Sequence, residues 1–372
     1  MSARGADPAR AELDARALAW MREADWRRDE RRFDALALDL YAFQFAHCAP
    51  YRRFCESRGV TPASARSWRE IPPVPSGAFK ELALTSFPLE RAVHSFRTSG
   101  TTTASRGALH LDTLELYEAS LLPSFRRHVL PDLAADARAD CLVLAPSPGE
   151  LPDSSLSHMF GEVLRTLGTP ESAFAVCHSA AEWERVLERL RAARARGAPL
   201  LLCGTAFAMV HLLDALAARE LRLELPPNAR VMETGGFKGR SRELSRDALY
   251  AEIEHRLGVP PERVVNQYGM TELGSQFYDS VLLEPRAPRR KLGPPWAAVR
   301  IVDPDSGEDV PDGEVGAVAI VDLANTGSVL ALQTADVGRR LSDGFEVLGR
   351  EAGAEERGCS IAADALLGGA AP

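Results

Sequence analysis

An α/β protein with parallel-rich sheets and a small antiparallel β unit is what this sequence predicts, and three observations carry that expectation. Short apolar runs alternate with amphipathic segments through the middle of the chain, the pattern of strands joined by helical crossovers. From Trp296 the character changes to "AAVRIVDPDSGEDVPDGEVGAVAIVDL", two strands joined by an Asp/Gly/Pro turn region. The 372 residues, 45% of them hydrophobic, can bury a sizeable core and suggest two or three lobes rather than one small domain.

The elements follow in chain order. From Asp7 to about Arg58, Leu13, Leu18, Met21, Trp26, Phe33, Leu36 and Phe43 recur among charges, so two or three helices are expected, with Arg27 to Arg32 as a solvated face. "IPPVPSGAFK", Ile71 to Lys80, is rich in Pro and reads as a connection that crosses the surface or lines a cleft. After a hydroxyl-rich stretch come "CLVLAP", a helix through "LSHMFGEVLRTLG", "FAVCH", a helix over 180–196, "PLLLCGT", a helix over 208–219, "ARVMETGG", a helix over 242–257 and "RVVNQYG". Ligands of such sheets sit at the carboxyl ends of strands, which puts "TGG" and "QYGMTE" on one rim. "GRRLSDGFEVLGR" reads as a last hairpin. The tail beyond Arg350, rich in Ala, Gly and Glu, is expected to be mobile or only loosely docked. The expected units are therefore a helical region over 1–70, an α/β core over 71–295, the antiparallel unit over 296–349 and the tail over 350–372.

Composition narrows the function. A net charge of -8 offers no footprint for nucleic acid or an anionic membrane, and leaves small molecules or proteins as partners. The N-terminus lacks the apolar stretch of a signal peptide and no segment reads as a membrane span, so a cytoplasmic location is the default. Cysteines 48, 55, 141, 177, 203 and 359 have neither zinc-finger nor CxxC spacing. Five lie in or near apolar runs and read as small buried hydrophobes, whereas Cys359 sits in "EERGCS" near the end of the chain. GxxxxGK[ST], GxGxxG, GxSxG and HExxH are all absent.

What is present is an ordered set: "TSGTTTASRG" at 98–107, "ETGGFKG" at 233–239, "NQYGMTELG" at 266–274, "QTADVG" at 333–338 and "DGFEVLGR" at 343–350. A loop of Ser, Thr and Gly is most often an ordinary surface turn, yet the same hydroxyls and flexible backbone can wrap an anion. Each of the other motifs also has a plainer reading: a core Tyr, an Asx turn, a surface lysine. Together and in this order they resemble the adenylate-forming superfamily. Within it the likeness is greatest to the bacterial luminescence acyl-protein synthetases and the related phenylacetate-CoA ligases, from about Ile71 to Cys359.

The resemblance implies a fold, the large N-terminal domain of an adenylate-forming enzyme without the full C-terminal domain, and a set of roles. Thr98, Ser99, Gly100, Thr101, Thr102 and Arg106 match the loop that holds ATP phosphates, with Thr103 in place of a second Gly, Ser105 of Pro and Arg106 of Lys. Gly235 and Gly236 would admit one face of adenine and Tyr268 would stack on the other, while Thr271 would contact the α-phosphate and Glu272 would hold Mg²⁺. Asp336 and Arg350 match the residues near the ribose. Lys238 would approach the phosphate or the substrate carboxylate, or lie on the surface. His158 would line the acyl pocket, or be a satisfied core histidine. Cys359 matches a cysteine that accepts the acyl group. The implied activity is ATP- and Mg²⁺-dependent activation of a carboxylic acid, with transfer to Cys359 and then to an acyl-accepting protein such as a reductase or acyl-carrier protein. The alternatives are a ligase that uses CoA directly and a non-catalytic adenylate-binding adaptor.

Overall fold

Three helices open the chain. α1 (Pro8–Met21) is entered through Asp7, whose carboxylate accepts from the Ala9 N–H at 2.9 Å, and Pro8 stands where its missing N–H costs nothing. Asp29 caps α2 (Glu30–His47) in the same way at 3.0 Å, and α3 (Ala49–Ser57) follows directly. This computed structural model describes residues 7–23, 25–98, 106–177, 179–235, 244–304 and 306–350. The Pro-rich connection becomes a short strand, β1 (Val74–Pro75), and a 3₁₀ turn, Ser76–Lys80. β2 (His94–Arg97) and β3 (Ala108–Leu111) then form a separate two-stranded antiparallel sheet that flanks the hydroxyl-rich loop.

The middle of the chain is the expected alternation. α4 (Glu115–Val129) leads to β4 (Asp140–Leu144), α5 (Ser155–Leu167), β5 (Ala173–Phe174), α6 (Ala180–Arg196), β6 (Leu200–Thr205), α7 (Ala206–Ala217), β7 (Arg230–Thr234), α8 (Arg246–Leu257) and β8 (Val264–Tyr268). β5, β4, β6, β7 and β8 are parallel neighbours in that order. β4, β6 and β7 are buried on both faces, which is why "CLVL" of β4 and "LLLC" of β6 read as unbroken apolar runs, whereas β7 buries Arg230 and Glu233 among its apolar residues. Their side chains alternate: Leu142, Leu200, Leu202 and Val231 pack under α6, α7 and α8, whereas Cys141, Leu201, Cys203 and Met232 pack under α4 and α5.

Helix starts follow their caps. Thr205 accepts from the Ala208 N–H at 3.1 Å, so α7 begins at Ala206, two residues before the expected start. Ser245 caps α8 at 3.2 Å, and the helix expected from 242 starts at Arg246. Among the described residues of "FAVCH" only Phe174 lies in a strand, together with Ala173 before it.

The antiparallel strands do not stand apart. β9 (Phe277–Asp279) pairs antiparallel with β8, β10 (Lys291–Leu292) with β9, and the ladder continues through β14 (Gly344–Arg350), β13 (Ala331–Leu341), β12 (Val315–Asp322) and β11 (Ala297–Val302). One sheet of 12 strands results, with β1 added in parallel to β13. α1 to α3 close over the antiparallel half and bury Trp20, Phe33, Leu40, Ile320 and Leu332 in one cluster. Among the described residues no helix is long and apolar enough to cross a membrane.

Leu202, fully buried in the central strand β6, is a direct measure of this packing. Leu202→Ala is expected to cost about 2–5 kcal/mol, read as a lower urea midpoint at unchanged slope.

Candidate active site

β7 and β8 end side by side, and the Thr234 hydroxyl donates to the Gln267 carbonyl at 3.2 Å across them. β7 runs out into Gly235 at φ 78°, a conformation that disfavours any side chain. Among the described residues, its chain neighbours aside, no atom lies within 4 Å of where its Cβ would stand, and Gly235 itself is exposed.

Tyr268 ends β8. Its hydroxyl donates to Asp336 Oδ2 at 2.8 Å, and Phe277 and Phe345 hold its ring at centroid distances of 6.3 and 5.9 Å. Burial and the adjacent Asp336 carboxylate push the phenol well above its ordinary pKa, so it stays a donor. Asp336 lies on β13 opposite Arg350, the end of β14, whose Nε is 3.5 Å from Asp336 Oδ1. The Asp336 N–H donates to Thr334 Oγ1 at 3.1 Å, and Thr334 donates in turn to the Val318 carbonyl at 3.0 Å. Three of the sequence-predicted residues thus meet at one point from three strands.

Thr271 and Glu272 lie on the turn that follows Tyr268, Thr271 partly exposed and Glu272 buried. The Asn325 amide donates to the Glu272 carbonyl at 2.7 Å, and two residues beyond the turn Asp322 accepts from the Ser275 N–H at 2.8 Å and its hydroxyl at 2.7 Å. A side chain at Gly274 would stand 2.7 Å from Ala324 Cβ, so the turn closes onto the segment after β12 only with glycine there. Burial pushes the Glu272 carboxyl up to about 7, against the pull of Arg350 and Lys80 and with a smaller push from Asp336. A buried carboxylate whose charge is costly to hold there, on the turn that follows a strand, is a suitable oxygen donor for a hard divalent cation.

The foot of the hydroxyl loop is closed by two bonds, Thr98 N–H to the Gly107 carbonyl at 2.9 Å and Gly107 N–H to Thr98 Oγ1 at 3.0 Å. Arg106, expected to offset phosphate charge, is turned onto this foot. It donates to the Thr98 carbonyl at 2.6 Å and pairs with Asp153 at 2.8 Å. His158, on α5, lies 3.1 Å from Glu118 on α4 and against Phe96 and Tyr117, so its described contacts join it to the hairpin side rather than to Tyr268 or Glu272. Ser99, Gly100, Thr101, Thr102, Gly236, Lys238, Cys359 and the tail lie outside the described residues.

Sequence reasoning missed Asp322, Asn325, Asp153 and Lys80. The first three act through partners 47 or 53 positions away, and no local pattern announces such a pairing. Lys80 carried a signal: it is one of only three lysines in the chain and ends a Pro-rich connection expected to cross the surface or line a cleft.

Comparison with known proteins bears on the family and the fold. The family described as Acyl-protein synthetase, LuxE matches residues 9–367. The long-chain-fatty-acid–luciferin-component ligase of Vibrio harveyi is 21% identical over 301 residues, 80% of this chain and 76% of that protein. Its counterpart from Aliivibrio fischeri is 20% identical over 318 residues, 84% and 81% of the two chains. Among solved structures, an open conformation of 2-hydroxyisobutyryl-CoA ligase in complex with 2-HIB-AMP and CoA superposes with a TM-score of 0.61 over 86% of this chain and 70% of that one, at 16% identity. The fold is that of adenylate-forming ligases.

Glu272 gives a test with a sign. The folded protein holds its proton up to about pH 7 against an ordinary value of 4.5, so the folded state binds more protons than the unfolded one between them and stability falls as pH rises through that window. Glu272→Gln, which cannot ionise, is expected to match wild type near about pH 5 and to exceed it near about pH 8 by about 1–3 kcal/mol, measured by urea unfolding of the ligand-free protein.

Proposed function

The chain belongs to the acyl-protein synthetase family, LuxE, and from that premise we propose that it is an ATP- and Mg²⁺-dependent cytoplasmic ligase that turns a carboxylic acid into an acyl-adenylate and passes the acyl group to Cys359. The names of the Vibrio and Aliivibrio relatives favour a long-chain fatty acid. The observation that carries the reading is the convergence of Tyr268, Asp336, Arg350 and Glu272 on one rim of the sheet.

Each group has a task there. The Tyr268 ring, fixed by Phe277 and Phe345, offers adenine a flat face across from Gly235, and Asp336 accepts from the ribose hydroxyls. Because Tyr268 donates to Asp336, base and sugar are aligned by one bond already made in the free protein. Glu272, with Thr271 beside it, would hold Mg²⁺, which neutralises phosphate charge. The hydroxyl loop from Thr98 to Thr102 cradles the phosphates, with Gly236 and Lys238 beside them, while Arg106 keeps the loop's foot closed. The attacking acid is already ionised at neutral pH, so positioning and charge stabilisation suffice for the first step and no side-chain base is needed.

The chain's path supports the transfer step. β14 delivers the backbone to the rim at Arg350, and Cys359 comes nine residues later, a reach of up to about 30 Å. Its thiolate attacks the acyl carbonyl, AMP leaves with the electron pair, and the resulting thioester keeps the acyl group activated for a reductase, a carrier protein or CoA.

Purified protein incubated with ATP, Mg²⁺ and labelled long-chain fatty acid is expected to become labelled on a bond that neutral hydroxylamine cleaves. Cys359→Ser should abolish the label and still release pyrophosphate. Glu272→Gln should lower pyrophosphate release by about 10²–10³-fold. Pyrophosphate release without protein label would move the acceptor to CoA or a carrier, and silence with every fatty and aryl acid would leave an adenylate-binding adaptor.

A further inference from the structure

Beyond the residues assigned above, a cation is carried to the rim by a segment that meets both β13 and the foot of the hydroxyl loop. β1 pairs in parallel with β13 at Leu332 and Gln333, three positions ahead of Asp336, so the Pro-rich connection is hydrogen-bonded to the strand that carries the ribose-facing carboxylate. The 3₁₀ turn Ser76–Lys80 continues from β1 without a break, with Ala78 and Phe79 buried. A Cβ at Gly107 would stand 3.4 Å from the carbonyl carbon and oxygen of Phe79, so this turn abuts the foot of the hydroxyl loop. Lys80 follows Phe79, half-buried, and its charge acts on the Glu272 carboxyl together with that of Arg350.

We propose that Lys80 is a catalytic residue of the adenylation step, the cation that neutralises the reacting oxygens between the foot of the loop and the Asp336 strand. The assignment rests on the ligase reading. In that step a carboxylate oxygen of the acid bonds to the α-phosphorus while the bond from that phosphorus to the bridging oxygen breaks. Pyrophosphate leaves with the electron pair and no proton moves.

Phosphates and an attacking carboxylate bring together more negative charge than one divalent cation offsets, and the reacting centre is most crowded with charge at the moment of attack. Arg350 and Lys80 only partly relieve the cost of charge at Glu272 in the free protein, and nucleotide and acid add further negative charge, so the reacting oxygens need a cation close to them. Lysine suits this, a point charge on a four-carbon stem that can follow the charge it offsets. Of the other two lysines, Lys291 is buried against Asp279 at 2.8 Å and Lys238 lies outside the described residues.

The test measures acid-dependent exchange of label between pyrophosphate and ATP, together with thermal unfolding, for wild type, Lys80→Gln and Lys80→Arg. Lys80→Gln is expected to lower kcat by about 10²–10³-fold, to change KM for ATP by less than about fivefold and to leave the unfolding midpoint in place, with Lys80→Arg at least about tenfold more active than Lys80→Gln. An active wild type with Lys80→Gln within about threefold of it overturns the assignment alone. So does a Lys80→Gln protein whose losses follow a lowered midpoint, which would make Lys80 structural. A wild type silent with every acid overturns the ligase reading, and the role of Lys80 falls with it.

Discussion

Asp322 is the group on which the arrangement of the site depends. Its carboxylate is fully buried at the end of β12, where it accepts from the N–H and hydroxyl of Ser275 and from the Ala324 N–H at 3.0 Å. Burial still raises its pKa, so desolvation outweighs what these donors give back. The consequence is geometric. Ser275 lies three residues after Glu272 and Asn325 three after Asp322, so one carboxylate holds both the turn that carries Glu272 and the segment whose Asn325 amide binds the Glu272 carbonyl. From there the bonding spreads outward. Ser275 meets Ser120 of α4, which receives the indole N–H of Trp296 at 2.8 Å, and Gln44 of α2 donates to the Asn325 carbonyl at 2.8 Å and accepts from the Leu330 N–H at 2.9 Å. Helices from the start of the chain thereby support a turn more than two hundred residues later.

That support explains how a charged rim can exist on a strongly apolar body. Glu272 and Asp336 are close enough to raise each other's cost, and Arg350 and Lys80 relieve it only in part, which leaves a carboxyl poised near neutrality rather than fully ionised. A site satisfied in itself would have little reason to take up a charged ligand. Here the unrelieved desolvation is held in place by backbone bonds that do not move when the ligand arrives, the preorganisation that phosphoryl-group chemistry requires.

How much of this was legible in the sequence varied with the range of the interaction. "PLLLCGT" declared a doubly buried strand because both faces are covered, and "TSG", "YGMTE" and "QTADVG" marked the rim because short motifs carry their own chemistry. α4, β9 and β10 went unread: Pro123 interrupts the first as a helical pattern, and strands of three and two residues leave no period to detect. The antiparallel unit was read correctly as strands, but its continuity with the parallel half depends on β9 and β10 and so was invisible. Arg106 shows the limit most plainly. Its place in the loop motif suggests an anion, while the structure commits its guanidinium to Asp153 and the Thr98 carbonyl, partners that position in sequence does not disclose.

The hairpin of β13 and β14 turns through only Ser342 and Asp343, with Ser342 at φ 44° and Asp343 gripped by Arg290 at 2.6 Å. β13 is paired on both flanks, and irregularities interrupt its ladders at Ala317/Ala319 and at Val337/Gly338, so its register is pinned from several sides. Side chains on a strand alternate between faces, and a slip of one residue would carry Asp336 to the far side of the sheet. Its orientation is therefore a matter of parity: over evolutionary time, insertions or deletions in this turn are tolerable only where the odd–even count along β13 survives them.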